Sequence, residues 1–231
     1  MSAHPDPWPL RHLVLRTPRL ELRPEDDAGL LELVDLAHGG IHDRSSTPFL
    51  HPWTDAPPEA LGANTVRFFW SERAALTPER WSVNFLVRVD GRVVGTQGLS
   101  AEQFATTGEV GSGSWHGRTH QGRGYGVEMR AAVLLLAFDH LGARLARSGA
   151  FVDNPASLRV SEKLGYVADG TATQVRRGQA VVEQRVLLTP ERFVRPGWAL
   201  EVSGLDGCRD QLGAGRGDRG QRRAPGLPSR S

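Results

Sequence analysis

The sequence predicts an α/β fold built on a mixed, mostly antiparallel central sheet with helices on both faces. Two apolar stretches between residues 81 and 99 flank an Asp-Gly pair at 90–91, which is the strongest short signal for a β-hairpin. A third antiparallel strand is expected at 108–116, where Gly111 and Gly113 indicate a bulge or a close backbone approach. Helical and extended stretches then alternate, which is the pattern of a sheet covered by helices.

The other elements follow from the spacing of apolar side chains and from cap residues. Acidic residues at 25–27 favour a helix start, because they lie at the positive end of the helix dipole. Gly142 marks the end of the long helix that follows the third strand. In chain order we expect a strand at 14–24, a helix to about 37, an irregular segment at 39–58, a helix at 59–75, the three strands, the long helix, a strand at 145–152, a helix at 154–165, and strands at 166–167 and 181–188.

A chain of 231 residues suits one domain with an extension. We expect an N-terminal arm at 1–12, the main domain at 13–190, a short ordered appendage at 191–212 and a tail at 213–231. The tail is rich in Gly, Arg and Pro with almost nothing apolar to bury, which predicts disorder. No apolar run is long enough to span a membrane, and the N-terminus lacks a signal-peptide layout. We therefore expect a cytoplasmic protein without a membrane partner.

The charge pattern and the single cysteine narrow the classes of function. The isoelectric point near 9.2 suggests a nucleic-acid partner, but the excess of arginine lies after Leu212 and leaves the preceding chain slightly acidic. No aromatic residue follows Trp198 to stack on a base, so nucleic acid is a disfavoured partner. Cys208 is the only cysteine, which excludes an internal disulfide and a multi-cysteine zinc site. No metal is expected.

A glycine-rich turn at 120–126, His-Gln-Gly-Arg-Gly-Tyr-Gly, leads directly into the long helix. The first N–H groups of a helix lack intrahelical acceptors and carry the positive end of the dipole, so they can bind a phosphate. The three glycines let the backbone approach such an anion closely, and Arg123 could add a salt link. Val127 excludes both the P-loop and the dinucleotide fingerprint. The alternative interpretation, an ordinary surface turn before a core helix, is not excluded by these residues.

A second motif spans 153–166, Asp-Asn-Pro-Ala-Ser-Leu-Arg-Val-Ser-Glu-Lys-Leu-Gly-Tyr. The preferences of residues for helix ends alone explain three positions of this motif. Asn154 is a favoured N-cap, Pro155 a favoured first helical residue, and Gly165 a favoured helix end. These residues therefore predict a helix whether or not they carry a function.

The pattern Gln-x-x-Gly-x-Gly at 121–126, followed by Asn-x-x-Ser at 154–157 and Lys-Leu-Gly-Tyr at 163–166, resembles the GCN5-related N-acetyltransferases. The resemblance is to their ribosomal-protein acetyltransferase subgroup, typified by RimJ and RimL, and covers about 13–189. It implies the GNAT fold, in which the strands before and after the central helix splay apart and hold acyl-CoA. Short phrases at 113–115, 122–130 and 152–157 also look like those of actinobacterial members, some of which are associated with succinyl-CoA.

The resemblance also implies which residues form the site. Asn154 matches a position that contacts the pantetheine region. Ser157 matches one that can hydrogen-bond the thiol and act as an acid, or it is an ordinary early-helix serine. Glu183 lies near a position that often carries an acidic residue, and is either the general base or a solvated strand residue. Other base candidates are His120, Glu109 and Asp153. The pyrophosphate would bind Gln121, Gly122, Arg123, Gly124, Tyr125 and Gly126.

The implied activity is acyl-CoA-dependent N-acyl transfer, in which an acetyl or succinyl group moves from CoA to a primary amine by direct attack. Backbone N–H groups at 110–115 would polarise the carbonyl, as in an oxyanion hole. The alternative is a non-catalytic acyl-CoA sensor on the same fold. A protein N-terminus, a lysine or a small amine could be the acceptor, and a homo-oligomer stays open. Groups that could bind a succinyl carboxylate are Arg176, Arg177, His42, Arg44, Ser45, Ser46, Thr47 and the backbone near Gly113.

Overall fold

Five helices and nine strands make up the computed structural model, which describes residues 4–43 and 45–215. The helices are α1 (Asp27–His38), α2 (Pro58–Ala74), the single-turn α3 (Phe104–Thr107), α4 (Tyr125–Leu135) and α5 (Pro155–Lys163). The strands are β1 (Val14–Arg16), β2 (Glu21–Pro24), β3 (Arg80–Val89), β4 (Arg92–Glu102), β5 (Glu109–His116), β6 (Leu145–Phe151), β7 (Val167–Arg176), β8 (Gln179–Leu188) and β9 (Glu201–Ser203). A π-helical turn, Leu136–Leu141, extends α4 to the predicted stop at Gly142, where φ is 79°.

The first strand differs from the prediction. A single strand at 14–24 is wrong, because β1 and β2 form an antiparallel pair within it. The N–H of Thr17 donates to the carbonyl oxygen of Leu20 at 3.0 Å and closes the turn between the two strands. Pro18 lies in this turn, where its missing N–H leaves no gap in a strand ladder.

All nine strands belong to one sheet, in the order β7-β8-β6-β5-β4-β3-β2-β1-β9. β5 and β6 run parallel, and every other strand pair in the described part of the chain is antiparallel. This confirms the predicted α/β fold with a mixed, mostly antiparallel sheet. The parallel pair arises because α4 carries the chain from the end of β5 back to the start of β6.

Helices cover both faces of the sheet, as two neighbouring residues of β3 demonstrate. Phe85 is buried in the main core with Leu134 of α4, whereas Leu86 packs with Leu30 and Leu33 of α1. Consecutive side chains of a strand point to opposite faces, so the two clusters lie on opposite sides of the sheet. α1 and α2 therefore cover one face and α4 covers the other.

The last hairpin is longer than its sequence indicates. The predicted strands at 166–167 and 181–188 are too short, since β7 and β8 each contain 10 residues. Arg177 and Gly178 connect them with φ of 51° and 73°, the backbone of a two-residue type I′ turn. The sequence of β7 from residue 168 is Ala-Asp-Gly-Thr-Ala-Thr-Gln, which lacks the apolar alternation of a half-buried strand.

The predicted bulge in the third strand of the sheet meander is also wrong. β4 and β5 keep one register from the Gly95–His116 pair to the Ser100–Gly111 pair. The other expectation for this strand, a close backbone approach, applies at Gly111. A Cβ at this position would lie 3.0 Å from Ser100 Oγ, so only glycine fits without a shift of that side chain.

The N-terminal arm and the segment at 191–212 meet at one edge of the sheet. β9 belongs to this segment and pairs with β1. The N–H of Leu10 donates to Gln211 Oε1 at 3.2 Å. The segment also contributes to the main core through the buried residues Phe193, Leu205, Cys208 and Leu212.

Most of the tail predicted at 213–231 lies outside the described residues, which end at 215. The described part, residues 213–215, comes directly after a 3-10 turn at Asp210–Leu212 and is hydrogen-bonded to it. The N–H of Ala214 donates to the carbonyl oxygen of Arg209 at 3.0 Å, and Ala214 packs against the main core. Among the helices of the described segments, none combines the length and the apolar character needed to cross a membrane.

Candidate active site

A cleft opens where β5 and β6 separate. The two strands pair only over their first residues, from the Glu109–Leu145 pair to the Gly111–Arg147 pair. At the point of separation Ser148 Oγ donates to the carbonyl oxygen of Ser112 at 3.1 Å. β6 then continues to pair with β8, whereas beyond Gly111 the same edge of β5 has no strand partner in the described part of the chain. Residues of both strands line the resulting cleft of about 1190 Å³.

The glycine loop lies at one end of this cleft. Gly122 and Gly124 have φ of 75° and 81°, a conformation that favours glycine, and Gly124 is the N-cap of α4. Gly122, Gly124 and Gly126 line the cleft. None of the described backbone hydrogen bonds uses the N–H groups from Gly122 to Val127. These donors stand at a helix N-terminus and fit an anionic phosphate group.

An ion pair that the sequence analysis missed supports the loop. Arg19 Nε donates to Glu128 Oε2 at 2.6 Å, and Arg19 Nη1 donates to the carbonyl oxygen of Arg123 at 2.9 Å. Glu128 is buried and also accepts a hydrogen bond from Thr17 Oγ1 at 2.6 Å. The only sequence signal was an acidic residue in the first turn of a helix, which by itself suggests no more than a favourable dipole contact.

The other loop residues named by the resemblance also have structural contacts. Gln121 borders the cleft, but its Nε2 donates to the carbonyl oxygen of Ile41 at 2.7 Å. Arg123 is exposed and does not line the cleft. The ring of Tyr125 lies under the Arg19 guanidinium, 5.0 Å from its centroid to Cζ. Gln121 and Tyr125 therefore tie the loop to its surroundings, and the glycines present the backbone to the cleft.

Asn154 and Ser157 lie at the start of α5 and both border the cleft. Asn154 Oδ1 accepts a hydrogen bond from the Ser157 N–H at 3.2 Å, which is the N-cap predicted from the sequence. Ser157 is half-buried, and the hydrogen bonds that it makes with described residues use its N–H and its carbonyl oxygen, not its hydroxyl. The hydroxyl is thus available to a ligand in the cleft.

Glu183 reaches the cleft from β8. Its Oε2 accepts a hydrogen bond from Gln174 Nε2 at 3.2 Å. The carboxylate lies over Gly149 of β6, where a Cβ would collide with it. Glycine at 149 thus makes room for a half-buried acidic group beside the splayed strands.

The other base candidates have less suitable surroundings. Asp153 borders the cleft, but hydrogen bonds from Arg176 hold the pKa of Asp153 below its ordinary value. Glu109 forms an ion pair with Arg147, with 2.8 Å between Nε and Oε2, and does not line the cleft. Partial burial and the charge of Arg123 lower the pKa of His120, which also lies outside the cleft lining. Of the candidate bases, Asp153 is thus already paired with Arg176, and Glu109 is already paired with Arg147.

His116 borders the cleft and was not among the sequence-based candidates. It ends β5, and a Cβ on Gly126 would lie 3.6 Å from His116 Cε1, so the imidazole stands beside the glycine loop. Burial and the neighbouring His120 lower the pKa of His116, which keeps the ring neutral at neutral pH. The sequence could have indicated His116 as a site residue, because this histidine ends the strand that leads into the glycine loop.

Two of the arginines proposed for an acyl carboxylate, Arg176 and Arg177, already have acidic partners. Arg176 donates from Nη1 to the carbonyl oxygen of Thr47 at 2.7 Å and forms an ion pair with Asp153. Arg177 pairs with Asp55. Of the remaining candidates, His42 hydrogen-bonds Thr54 and Asp43, Ser45 hydrogen-bonds Asp43, Ser46 and Thr47 border the cleft with Gly113, and Arg44 lies outside the described residues.

The chain matches one protein-family model, described as Acetyltransferase (GNAT) domain, over residues 19–167. RimJ of Mycobacterium smegmatis in complex with CoA-disulfide is a similar structure, with TM-score 0.68 and 17% identity over 81% of this chain and 91% of that chain. A GCN5-related N-acetyltransferase from Brucella melitensis has TM-score 0.64 and 20% identity, with 81% and 83% covered. RimL, a ribosomal alpha-N-protein acetyltransferase in complex with coenzyme A, has TM-score 0.58 and 16% identity, with 75% and 95% covered.

At these identities the three structures show a shared fold. The family match goes further because it covers more than half of the chain. It includes the glycine loop, both splayed strands and α5, whereas Glu183 lies beyond it. The chain therefore belongs to the acetyltransferase (GNAT) family, whose members use acetyl-CoA.

Proposed function

We propose that this protein moves an acetyl or succinyl group from a CoA thioester to a primary amine by direct attack. One observation carries the proposal. The cleft between β5 and β6 begins at the glycine loop, where the N–H groups from Gly122 to Val127 have no acceptor among the described backbone hydrogen bonds. Such donors suit the pyrophosphate of CoA, and the cleft beyond them suits its extended arm.

The proposal assigns a role to each group of residues that borders the cleft. The loop at 121–126 binds the pyrophosphate, and Asn154 contacts the pantetheine arm. Ser157 gives a proton to the leaving sulfur, since its hydroxyl has no hydrogen bond among the described residues. The unpaired edge of β5 polarises the thioester carbonyl through its N–H groups. Glu183 accepts the proton of the attacking amine.

Aromatic side chains that border the cleft support an extended amine acceptor. The rings of Phe49 and Trp53 lie 5.3 Å apart, and those of Trp53 and Trp115 lie 5.5 Å apart. Phe68 of α2 borders the same region and is 54% exposed. Such walls suit the aliphatic stem of an amine or the side chains of a peptide. We therefore propose a protein amine as acceptor, as for RimL, which is a ribosomal alpha-N-protein acetyltransferase.

The donor depends on charge near the acyl end. A succinyl group carries a carboxylate, which is costly to bury without a cation or several hydrogen-bond donors. Arg176 already pairs with Asp153 and Arg177 with Asp55, so a succinyl carboxylate would compete with these acidic side chains. Acetyl-CoA has no such requirement. Calorimetry with both donors at two salt concentrations decides between them, since a carboxylate pocket would favour succinyl-CoA and weaken as salt rises.

The activity is tested in two steps. Calorimetry with CoA should show binding to the wild type, and free-thiol release should then appear with at least one amine in a panel of peptides, lysine and small amines. Each amine is tested with acetyl-CoA and with succinyl-CoA. Binding without release across the panel would favour the acyl-CoA sensor. Failure to bind CoA would remove both functions.

A further inference from the structure

Arg130 of α4 is a buried cation with no acidic partner among the described residues. The residue is 4% exposed, and its Nη1 donates to Ser161 Oγ at 2.9 Å. Arg130 Nε and Ser112 Oγ are both buried without a hydrogen-bond partner in the described part of the chain. Arg130 and Ser112 both border the cleft. Since an arginine side chain stays protonated in proteins, an uncompensated positive charge faces the cleft.

This charge lies toward the inner end of the cleft. Ser161, which accepts the hydrogen bond of Arg130, lies one helical turn after Ser157 in α5, and its Oγ donates to the carbonyl oxygen of Ser157 at 3.3 Å. Ser112 precedes His116, the last residue of β5, by four residues, which corresponds to about 13 Å along an extended strand. The guanidinium therefore lies beside the turn of α5 that follows Ser157, although Arg130 itself comes only one helical turn after Gly126 in α4.

The length of the CoA arm relates this position to the chemistry. About a dozen bonds join the pyrophosphate to the sulfur, which corresponds to about 15 Å when the arm is extended like a polypeptide chain. A thioester bound at the glycine loop thus brings its sulfur to about the level of Ser112, inside the cleft that Arg130 also borders. The acyl tail extends beyond that level.

We propose that Arg130 stabilises the thiolate that leaves during acyl transfer, an inference that rests on the proposed function. In this step the amine nitrogen bonds to the carbonyl carbon, the carbon–sulfur bond breaks, and its electron pair stays on the sulfur, which Ser157 protonates afterwards. The amine proton passes to the general base. Negative charge develops beside a guanidinium that is already in place, so stabilising it requires little reorganisation.

Other ionisable groups that border the cleft must be kept constant in a test. Lys163 and Arg159 lie on α5, His116 on β5, Asp153 before α5 and Glu183 on β8, and all five border the cleft. A variant at Arg130 leaves each of them unchanged. The difference from wild type therefore reports the charge of Arg130.

The bound thiol provides a readout that does not require turnover. With saturating CoA, the ultraviolet absorbance of the thiolate is titrated with pH, and S-methyl-CoA serves as a blank because it has no ionisable thiol. Arg130→Met should raise the pKa of the bound thiol by about 1–3 units, the effect of removing a close opposite charge. Methionine of similar length should preserve folding, since apolar replacement of buried charges is often tolerated. If that variant fails to fold, Arg130→Gln gives the same readout.

Ser161→Ala is the matched control, because it removes the hydrogen bond to Arg130 and keeps the charge. Its bound thiol should titrate like that of the wild type. Equal thiol pKa values in wild type and Arg130→Met, with CoA bound to both, would overturn the proposal. Selective loss of succinyl-CoA affinity with an unchanged thiol pKa would also overturn it, since Arg130 would then pair with the acyl carboxylate. A wild type that binds no CoA would instead remove the proposed function.

Discussion

Arg19 and Glu128 join segments that are 109 residues apart, with Arg19 Nε donating to Glu128 Oε2 at 2.6 Å. The same arginine donates to the carbonyl oxygen of Arg123 at 2.9 Å. Arg19 does not line the cleft, so it supports the glycine loop from the opposite side. The turn between β1 and β2 therefore controls the position of the proposed phosphate-binding backbone.

Removing the carboxylate should weaken both the fold and the loop. We expect Glu128→Ala to lower the free energy of unfolding by about 1–3 kcal/mol, because Thr17 and Arg19 lose their acceptor. CoA affinity should fall several-fold as the loop loses its support. Urea unfolding and calorimetry measure the two effects, with Glu162→Ala on the exposed face of α5 as the control. An affinity equal to wild type would show that the loop holds its shape without the ion pair.

Two loop glycines should respond differently to the same substitution. Gly126 does not have a positive φ, and a Cβ there meets its neighbours at an ordinary 3.6 Å, so Gly126→Val should fold normally. It should abolish CoA binding, because the side chain would obstruct the phosphate. Gly124→Val should lose binding and also about 1–3 kcal/mol of stability, since its φ is 81°. Calorimetry and thermal unfolding separate these effects, and normal CoA binding by Gly126→Val would contradict the loop assignment.

Loss of the proposed base should affect turnover alone. Glu183→Gln keeps the side-chain shape beside Gly149 and removes its capacity to accept a proton. We expect turnover to fall about 10²–10⁴-fold with CoA affinity unchanged. Thiol-release kinetics and calorimetry check the two quantities. Turnover like that of the wild type would assign Glu183 to the solvated strand face and make His116 the next residue to test.

Two truncations should have opposite outcomes. A chain that ends at Gly215 should keep its stability and turnover, because residues 216–231 contain almost nothing apolar. A chain that ends at Leu200 should not fold, since it lacks β9 and the buried Leu205, Cys208 and Leu212. Each buried leucine contributes about 1.5–3 kcal/mol, which is a large share of a typical domain stability. Circular dichroism on both truncated chains tests this, and a folded shorter chain would make the segment a dispensable appendage.

Glu25 predicts a pH dependence of stability. Burial raises the pKa of Glu25 from 4.5 to about 7, and Arg73 partly opposes this rise. The folded state therefore favours the protonated form, and this stabilisation, complete below pH 4.5, is lost as the pH rises towards 7. Relative to wild type, Glu25→Gln should gain up to about 3 kcal/mol between pH 5 and pH 8. Urea unfolding at both pH values measures the difference, and a difference independent of pH would contradict the assignment.

Local sequence signals predicted many of the elements. The Asp-Gly pair at 90–91 marked the hairpin of β3 and β4, Asn154 marked the start of α5, and Gly142 marked the end of the long helix. These signals act between residues a few positions apart, so they do not depend on the rest of the fold. The order of the elements and the two motifs were sufficient to indicate the α/β fold and the family.

The contacts that shape the cleft depended on the tertiary structure. Arg19 meets Glu128, β9 joins β1, and Arg130 is buried beside Ser161 through contacts between distant parts of the chain. The amino-acid types are compatible with many pairings, and packing of the sheet and helices selects one of them. The burial of Arg130, which has no acidic partner within residues 4–43 and 45–215, likewise exists only after β5, α4 and α5 have assembled, because burial is a property of the packed chain and not of its local sequence.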